Sequence, residues 1–180
     1  MQKRKIILIS GDRGAGKTML CISLKNALSD LGKSHAGVIS PGLYRAGKRI
    51  GILAEDILSG ERRRIADYTP GWDEKHPERV WRFDFDAINW LNERLKNMPD
   101  AEILIFDELG YLEFEENRGW TAAFERLDAG RYRCAFVVVR PELIDKALSR
   151  WPDAAIQNIN ADTDTANLIE NMLNQLNESE

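Results

Sequence analysis

Cysteine is scarce in this chain of 180 residues, and long hydrophobic runs are missing. The two cysteines, Cys21 and Cys134, lie in apolar stretches, so the sequence offers neither a disulfide framework nor a four-ligand zinc site. The apolar run near the N-terminus covers only residues 6–9, which is too short for a signal-peptide core or a membrane span. We therefore predict no targeting or membrane-spanning segment, and we expect a cytoplasmic location.

Tracts dominated by serine, proline or glycine are also missing. The chain is 43% hydrophobic and 30% charged, a composition that excludes intrinsic disorder, collagen and coiled coil. Its length is that of one ordinary domain with a sizeable core. We therefore predict a single domain over residues 1–180.

Neither sign of charge dominates the whole chain, whose net charge is −4. Residues 1–64 hold 13 Lys and Arg against 5 Asp and Glu, whereas residues 65–180 hold 12 against 24. This separation argues against general nucleic-acid binding and suits an anionic ligand held near the N-terminal segment. We expect no nucleic-acid partner, and the sequence does not indicate a protein partner.

Short apolar runs alternate with stretches of helical periodicity, the pattern of a doubly wound α/β fold. Strands are predicted at residues 6–9, 36–40, 80–85, 103–106, 134–139 and 155–159. Helices are predicted at about residues 18–31, 86–96 (capped by Asp86), 118–129, 141–150 and 165–176. The Ser59-Gly60 turn signal predicts an antiparallel β-hairpin insertion within about residues 42–82. We expect three layers around a mostly parallel central sheet.

A glycine-rich segment between the first predicted strand and helix fits the pattern G-x-x-x-x-G-K-[ST]. It reads Gly11-Asp12-Arg13-Gly14-Ala15-Gly16-Lys17-Thr18. Its backbone amides are suited to cradle a polyphosphate at the helix N-terminus. Lys17 would reach the β- and γ-phosphates, and the Thr18 hydroxyl would bind Mg²⁺. The predicted nucleotide-binding set is this loop together with Met19.

An acidic pair, Asp107-Glu108, follows the buried strand at residues 103–106. A carboxylate at such a strand end holds the metal in P-loop folds, so Asp107 is predicted to bind Mg²⁺ together with Thr18. Glu108 is then placed to polarise a water for in-line attack on the γ-phosphate. The pair therefore favours hydrolysis over transfer to an acceptor.

These motifs resemble those of the small P-loop nucleoside-triphosphatase family that includes the cancer-related nucleoside-triphosphatase and its thermophilic microbial relatives. Residues 37–40 and 47–52 are similar to that family's Gly-Phe-x-Thr and Gly-x-Arg-x-Gly-Phe segments. Residues 107–113 resemble its Asp-Glu-Ile-Gly-Lys-Met-Glu segment. The resemblance covers most of the chain. It implies a RecA-like fold and Mg²⁺-dependent hydrolysis of nucleoside triphosphates with loose base preference.

The chain departs from the family pattern at several polar positions. The family's Glu and Arg between the two glycine segments fall on Gly42 and Tyr44, and its Lys after Asp-Glu-Ile-Gly is Tyr111. Its late Asn-Arg pair falls on Thr163-Asp164. These departures bear on turnover rate and nucleotide preference more than on fold or phosphate binding.

Arginines are the remaining candidates for the site. Arg49 lies in a family-like segment, so we predict that it acts in catalysis together with Lys17 and Glu108. The triplet Arg62-Arg63-Arg64 adjoins the predicted hairpin turn and could close over the γ-phosphate. Arg140 ends a central strand, near where ligands bind in such sheets. The sequence leaves open which of these, or Arg45, contacts phosphate.

The sequence thus predicts hydrolysis of nucleoside triphosphates, among them ATP and GTP, to diphosphate and phosphate, with Mg²⁺ as cofactor. One alternative is a nucleotide or small-molecule kinase, with residues 62–64 in a lid and the insertion binding an acceptor. Another is a nucleotide-gated interaction module without turnover. The preferred base, the rate, the oligomeric state and the pathway are not indicated.

Overall fold

A computed structural model describes residues 4–177, and this part of the chain forms nine strands and six α-helices. The strands are β1 (Lys5–Ser10), β2 (His35–Ile39), β3 (Gly42–Arg45), β4 (Lys48–Asp56), β5 (Arg62–Tyr68), β6 (Trp81–Phe83), β7 (Ile103–Leu109), β8 (Cys134–Val139) and β9 (Ala155–Asn158). The helices are α1 (Lys17–Asp30), α2 (Phe85–Asn97), α3 (Tyr111–Phe114), α4 (Thr121–Ala129), α5 (Ile144–Arg150) and α6 (Thr165–Asn177). A 3₁₀ turn, Pro141–Leu143, precedes α5.

All nine strands join one mixed sheet. Its order is β6-β5-β4-β2-β7-β8-β1-β9, with β3 paired to β4 alone. The five strands from β2 to β9 in this order run parallel to their neighbours, and the strands of the insertion run antiparallel. The predicted α/β fold with a parallel central sheet is confirmed. Parallel strand ends meet at one edge of such a sheet, which is where the predicted site residues lie.

Side chains of alternate residues in the central strands pack into two separate hydrophobic cores, one on each face of the sheet. Phe106 and Val137 pack on the face covered by α2, α4 and α5, and Ile105 and Phe136 pack on the face covered by α1 and α6. The parallel strands are therefore buried on both sides, which explains why they appear in the sequence as continuous apolar runs. The result is the predicted arrangement of three layers.

The insertion is larger than a single hairpin. Strands β4 and β5 pair around the predicted Ser59-Gly60 turn, while β3 and β6 extend the antiparallel part on either side. Strand β3 was not predicted, because its four residues have no long apolar alternation. It turns into β4 through Ala46 and Gly47, both with positive φ.

Helix α2 begins earlier than predicted. Asp84 is its N-cap, and its Oδ1 accepts hydrogen bonds from the backbone N–H groups of Asp86 (3.0 Å) and Ala87 (3.1 Å). Asp86 lies inside the first turn, so its predicted role as the cap was wrong. Both aspartates favour a helix N-terminus, and Asp84 has the extended backbone that a cap requires.

Candidate functional site

The glycine-rich loop connects the end of β1 to the start of α1, as predicted. Gly14 and Gly16 have φ values of 86° and 91°, which only glycine adopts without strain. Gly11 passes so close to the backbone of Ile159 that a Cβ atom there would lie 2.1 Å from its carbonyl oxygen. The three glycines are therefore required by the path of the loop, whatever the loop binds.

Lys17 folds back over this loop. Its Nζ donates hydrogen bonds to the carbonyl oxygens of Gly11 (2.5 Å) and Asp12 (2.8 Å). Partial burial lowers the pKa of Lys17, and the nearby charges of Glu108 and Asp107 act in the opposite direction. The ammonium group thus lies between the loop and the acidic end of β7.

Thr18 and Asp107 are 89 positions apart in the sequence but are in contact in the fold. The Thr18 hydroxyl donates to Oδ1 of Asp107 at 3.3 Å, and the backbone N–H of Ser40 donates to Oδ2 at 3.0 Å. Asp107 is only 1% exposed. Burial raises the pKa of Asp107 to about 6, although the bonds from Ser40 and Thr18 act to lower it. The ionised carboxylate is therefore held where a cation would stabilise it.

The chemistry of this pair fits Mg²⁺. A hydroxyl and a carboxylate are hard oxygen ligands, and Mg²⁺ is typically held by one or two protein groups together with phosphate oxygens and water. Within residues 4–177, no group of three or more His, Cys, Asp or Glu side chains could hold a metal ion. A metal here would therefore take its remaining ligands from the nucleotide and from solvent.

Glu108 has an unusual backbone conformation. Its φ is 73°, rare for a residue other than glycine, and the pairing of β7 with β8 shifts register between Phe106 and Leu109. Asp107 is buried, whereas Glu108, within this irregular stretch, is half-exposed. The Glu108 carboxylate pairs with Arg140, whose Nε and Nη2 both lie 2.6 Å from Oε1.

Arg49 approaches the same region from β4. Its guanidinium stacks on the Trp81 ring at 5.1 Å, and its charge acts to lower the pKa of Asp107. Its Nε atom is buried and has no hydrogen-bond partner among the described residues. Arg49 therefore places a cation with one unbonded buried nitrogen near Asp107, and its role in catalysis stays a prediction.

The arginine triplet is engaged elsewhere. Arg62 pairs with the buried Glu55 at 2.6 Å, and Arg63 pairs with Glu61 and stacks on Trp90. Arg64 donates to the backbone carbonyl of Ile50 at 3.0 Å and pairs with Asp67. The contacts of all three are within the insertion and α2, which does not support a lid over the loop.

Of the remaining residues predicted to bind nucleotide, only Ala15 is buried. Ala15 is buried under the loop, whereas Asp12, Arg13 and Met19 are exposed. Arg45 is also exposed, in the β3–β4 hairpin. Within the loop itself, the Ala15 N–H donates to the Asp12 carbonyl at 3.1 Å.

Sequence reasoning missed two polar residues that support the acidic strand end. Ser40 Oγ donates to the backbone carbonyl of Asp107 at 2.9 Å, in addition to the bond from its N–H. Glu113 is buried and accepts from the backbone N–H groups of Gly110 (2.7 Å) and Trp120 (2.8 Å). Ser40 ends one of the family-like segments, which was the available signal. Glu113 ends another family-like segment, residues 107–113, but nothing in the sequence indicated that its side chain is buried.

No helix within residues 4–177 has both the length and the hydropathy needed to cross a membrane.

Comparison with known proteins gives consistent matches. The profile of the NTPase family matches residues 6–163. Nucleoside-triphosphatase THEP1 of Methanopyrus kandleri is 26% identical over 126 residues, covering 68% of this chain and 67% of that protein. Nucleoside-triphosphatase THEP1 of Archaeoglobus fulgidus is 29% identical over 144 residues, covering 78% and 82%. The predicted resemblance to nucleoside-triphosphatases is confirmed.

Solved structures share the fold over nearly the whole chain. A human cancer-related nucleoside triphosphatase superimposes with a TM-score of 0.73 at 18% identity, covering 99% of this chain and 100% of that one. THEP1 from Aquifex aeolicus gives a TM-score of 0.67 at 19% identity, covering 95% and 98%. With the loop, the acidic strand end and the family profile in agreement, the chain belongs to the NTPase family, the family of nucleoside-triphosphatase enzymes.

Proposed function

We propose that this chain hydrolyses nucleoside triphosphates, among them ATP and GTP, to diphosphate and phosphate with Mg²⁺ and loose base preference. The observation that carries the proposal is the meeting of Lys17, Thr18, Asp107 and Glu108 at one edge of the sheet. The loop and β7 are far apart in sequence, yet the Thr18 to Asp107 bond joins them directly. Phosphate binding and water activation thereby share one site.

The loop binds the triphosphate. The amides of residues 11–19 and the N-terminus of α1 present positive partial charge to the phosphates. Lys17 exchanges its two carbonyl contacts for phosphate oxygens, which carry full negative charge and form stronger hydrogen bonds. The partly buried position of Lys17 strengthens that attraction, because water screens it less.

Thr18 and Asp107 would hold the metal. When bound there, Mg²⁺ would neutralise part of the negative charge of the triphosphate. Asp107 contributes a carboxylate fixed by Ser40, and Thr18 contributes a hydroxyl at the start of α1. Neither side chain needs to move far, because the two oxygens already lie 3.3 Å apart.

Glu108 orients and polarises the attacking water. Its backbone bulge presents the carboxylate beside Lys17 rather than burying it with Asp107. The water oxygen bonds to the γ-phosphorus as the bond to the bridging oxygen breaks, and Glu108 accepts the proton of the water. Arg49 adds positive charge near the developing negative charge.

Phosphate release in the absence of any acceptor tests this function. The purified protein is incubated with Mg²⁺ and each of the four common ribonucleoside triphosphates, and inorganic phosphate is measured. Release from several of them supports hydrolysis with loose base preference. A requirement for an added hydroxyl acceptor would instead indicate a kinase, and tight binding without release would indicate a nucleotide-gated interaction module.

A further inference from the structure

The ion pair between Arg140 and Glu108 lies at the centre of the proposed site. Strand order places β8 between β7 and β1, so the residue after β8 stands between the acidic strand end and the glycine-rich loop. Arg140 is that residue, in extended conformation just before the 3₁₀ turn. Its charge acts on Lys17 as well as pairing with Glu108. The guanidinium is therefore near the position that a γ-phosphate would occupy.

The geometry of the pair favours exchange. Both Arg140 nitrogens approach the same carboxylate oxygen, Oε1, which is not the two-oxygen fork of the strongest Arg–carboxylate pairs. The side chains are 47% and 36% exposed, and ion pairs so accessible to water contribute little stability. A γ-phosphate with more negative charge than one carboxylate would compete effectively for this guanidinium.

We propose that Arg140 exchanges between Glu108 and the γ-phosphate, so that triphosphate binding both recruits a catalytic arginine and releases Glu108 to act on water. This inference rests on the proposed function of the site. A diphosphate lacks the competing group and leaves the pair intact. Binding of the terminal phosphate thereby frees the Glu108 carboxylate from its ion pair, so that it can accept a proton from water.

Arg79 and Tyr111 lie close to the ion pair of Arg140 and Glu108. Arg79 stacks on the Tyr111 ring at 5.3 Å and pairs with Glu116 at 2.7 Å, so its charge is already engaged. Arg140 also acts electrostatically on Tyr111. Of these two arginines, only Arg140 combines half-exposure with direct contact to the proposed water-activating residue, so it is the one assigned to the γ-phosphate.

A double-mutant cycle on binding tests the exchange. Affinities for β,γ-methylene ATP and for ADP, each with Mg²⁺, are measured by calorimetry for the parent, Glu108→Gln, Arg140→Gln and the double variant. If triphosphate binding breaks the pair, Glu108→Gln should tighten binding of the analogue in the protein that has Arg140. The tightening should be about three- to fivefold larger there than in the Arg140→Gln background, the scale of an exposed ion pair. For ADP, the two effects of Glu108→Gln are equal.

Additive effects on analogue affinity would overturn the exchange, because the pair would then persist in the complex. Failure of the parent to bind the analogue would overturn the proposed function and the exchange with it, whereas binding with additive effects overturns the exchange alone. Glu93→Gln and Lys96→Gln form the matched control, since their exposed pair on α2 should leave both affinities unchanged. Circular dichroism of all variants verifies folding.

Discussion

Thr18 and Asp107 are joined by a hydrogen bond of 3.3 Å that links the first turn of α1 to the end of β7. The bond joins the predicted phosphate-binding loop to the acidic strand end, and it sets the spacing of the two predicted metal ligands. Ser40 fixes the same carboxylate from β2, through both its N–H and its hydroxyl. Three elements thus determine where the aspartate points.

Replacing Lys17 by Ala should abolish turnover and weaken triphosphate binding while leaving the fold intact. The Lys17 ammonium donates hydrogen bonds to two loop carbonyls, contacts that a triphosphate would replace. Calorimetric binding and phosphate release measure the two effects. Lys96→Ala, on the exposed face of α2, is the control. Unchanged hydrolysis by Lys17→Ala would show that the loop is not the active site.

Asp107 should make stability depend on pH when chelator removes divalent metal. Its pKa rises from 3.8 in the unfolded chain to about 6 in the fold. The stabilisation is therefore complete below about pH 4 and lost as pH rises through 6, by roughly 3 kcal/mol for this group. Urea unfolding of the parent and Asp107→Asn at several pH values isolates the effect. Parallel curves for the two proteins would contradict it.

The same carboxyl predicts how metal affects stability. Mg²⁺ requires the ionised form of Asp107, so added Mg²⁺ and nucleotide should raise the thermal midpoint more at pH 8 than at pH 5. Hydrolysis should likewise need Mg²⁺ or Mn²⁺ and stop with excess chelator. Full activity in chelator would overturn the roles assigned to Thr18 and Asp107.

Arg49→Gln should lower kcat by about 10²-fold, the scale of losing one group that stabilises charge in a transition state. The Arg49 guanidinium stacks on the Trp81 ring, and its charge acts to lower the pKa of Asp107. Its loss should therefore change the electrostatics of the site. Arg64→Gln is the matched control, because Arg64 lies on the neighbouring strand and pairs with Asp67. Equal rates for the two variants would remove Arg49 from the mechanism.

Glu113→Gln should lower the free energy of unfolding by about 1–3 kcal/mol. Both carboxylate oxygens of Glu113 accept from backbone N–H groups, and the glutamine NH₂ group is a donor that cannot replace one of them. The donors are Gly110 and Trp120, in the segment that follows Glu108. Chemical denaturation measures the loss. Glu115→Gln, which removes an exposed pair with Lys146, should change stability by less than about 0.5 kcal/mol.

The sequence predicted the central sheet well because local signals and packing agree there. Buried parallel strands such as β8 are uniformly apolar, and the glycine-rich loop has only one pattern of glycines that its path permits. In the insertion, β6 was predicted as a strand at residues 80–85 but β3 was not, and the pairing of both was missed because it is set by neighbouring strands. The cap of α2 was assigned to Asp86 because nothing local distinguishes it from Asp84.

Motifs in the sequence predicted the candidate site residues, but they did not predict how these residues are arranged. Nothing in the sequence indicates that β7 bulges at Glu108 or that Arg140 pairs with it, because both depend on the order of strands across the sheet. The burial of Glu113 among acidic neighbours is likewise a tertiary effect. The motifs therefore indicate which residues to consider, while the order of the strands determines which charged side chains pair with one another.

Glu108→Gln tests the central claim most directly. Glutamine keeps the size and hydrogen-bonding reach of the side chain but removes the charge that polarises water. Triphosphate affinity and single-turnover hydrolysis are measured side by side with Mg²⁺. We expect affinity to be retained or tightened while hydrolysis slows by roughly 10²-fold or more. Near-normal hydrolysis with normal affinity would contradict it and exclude Glu108 as the water-activating group.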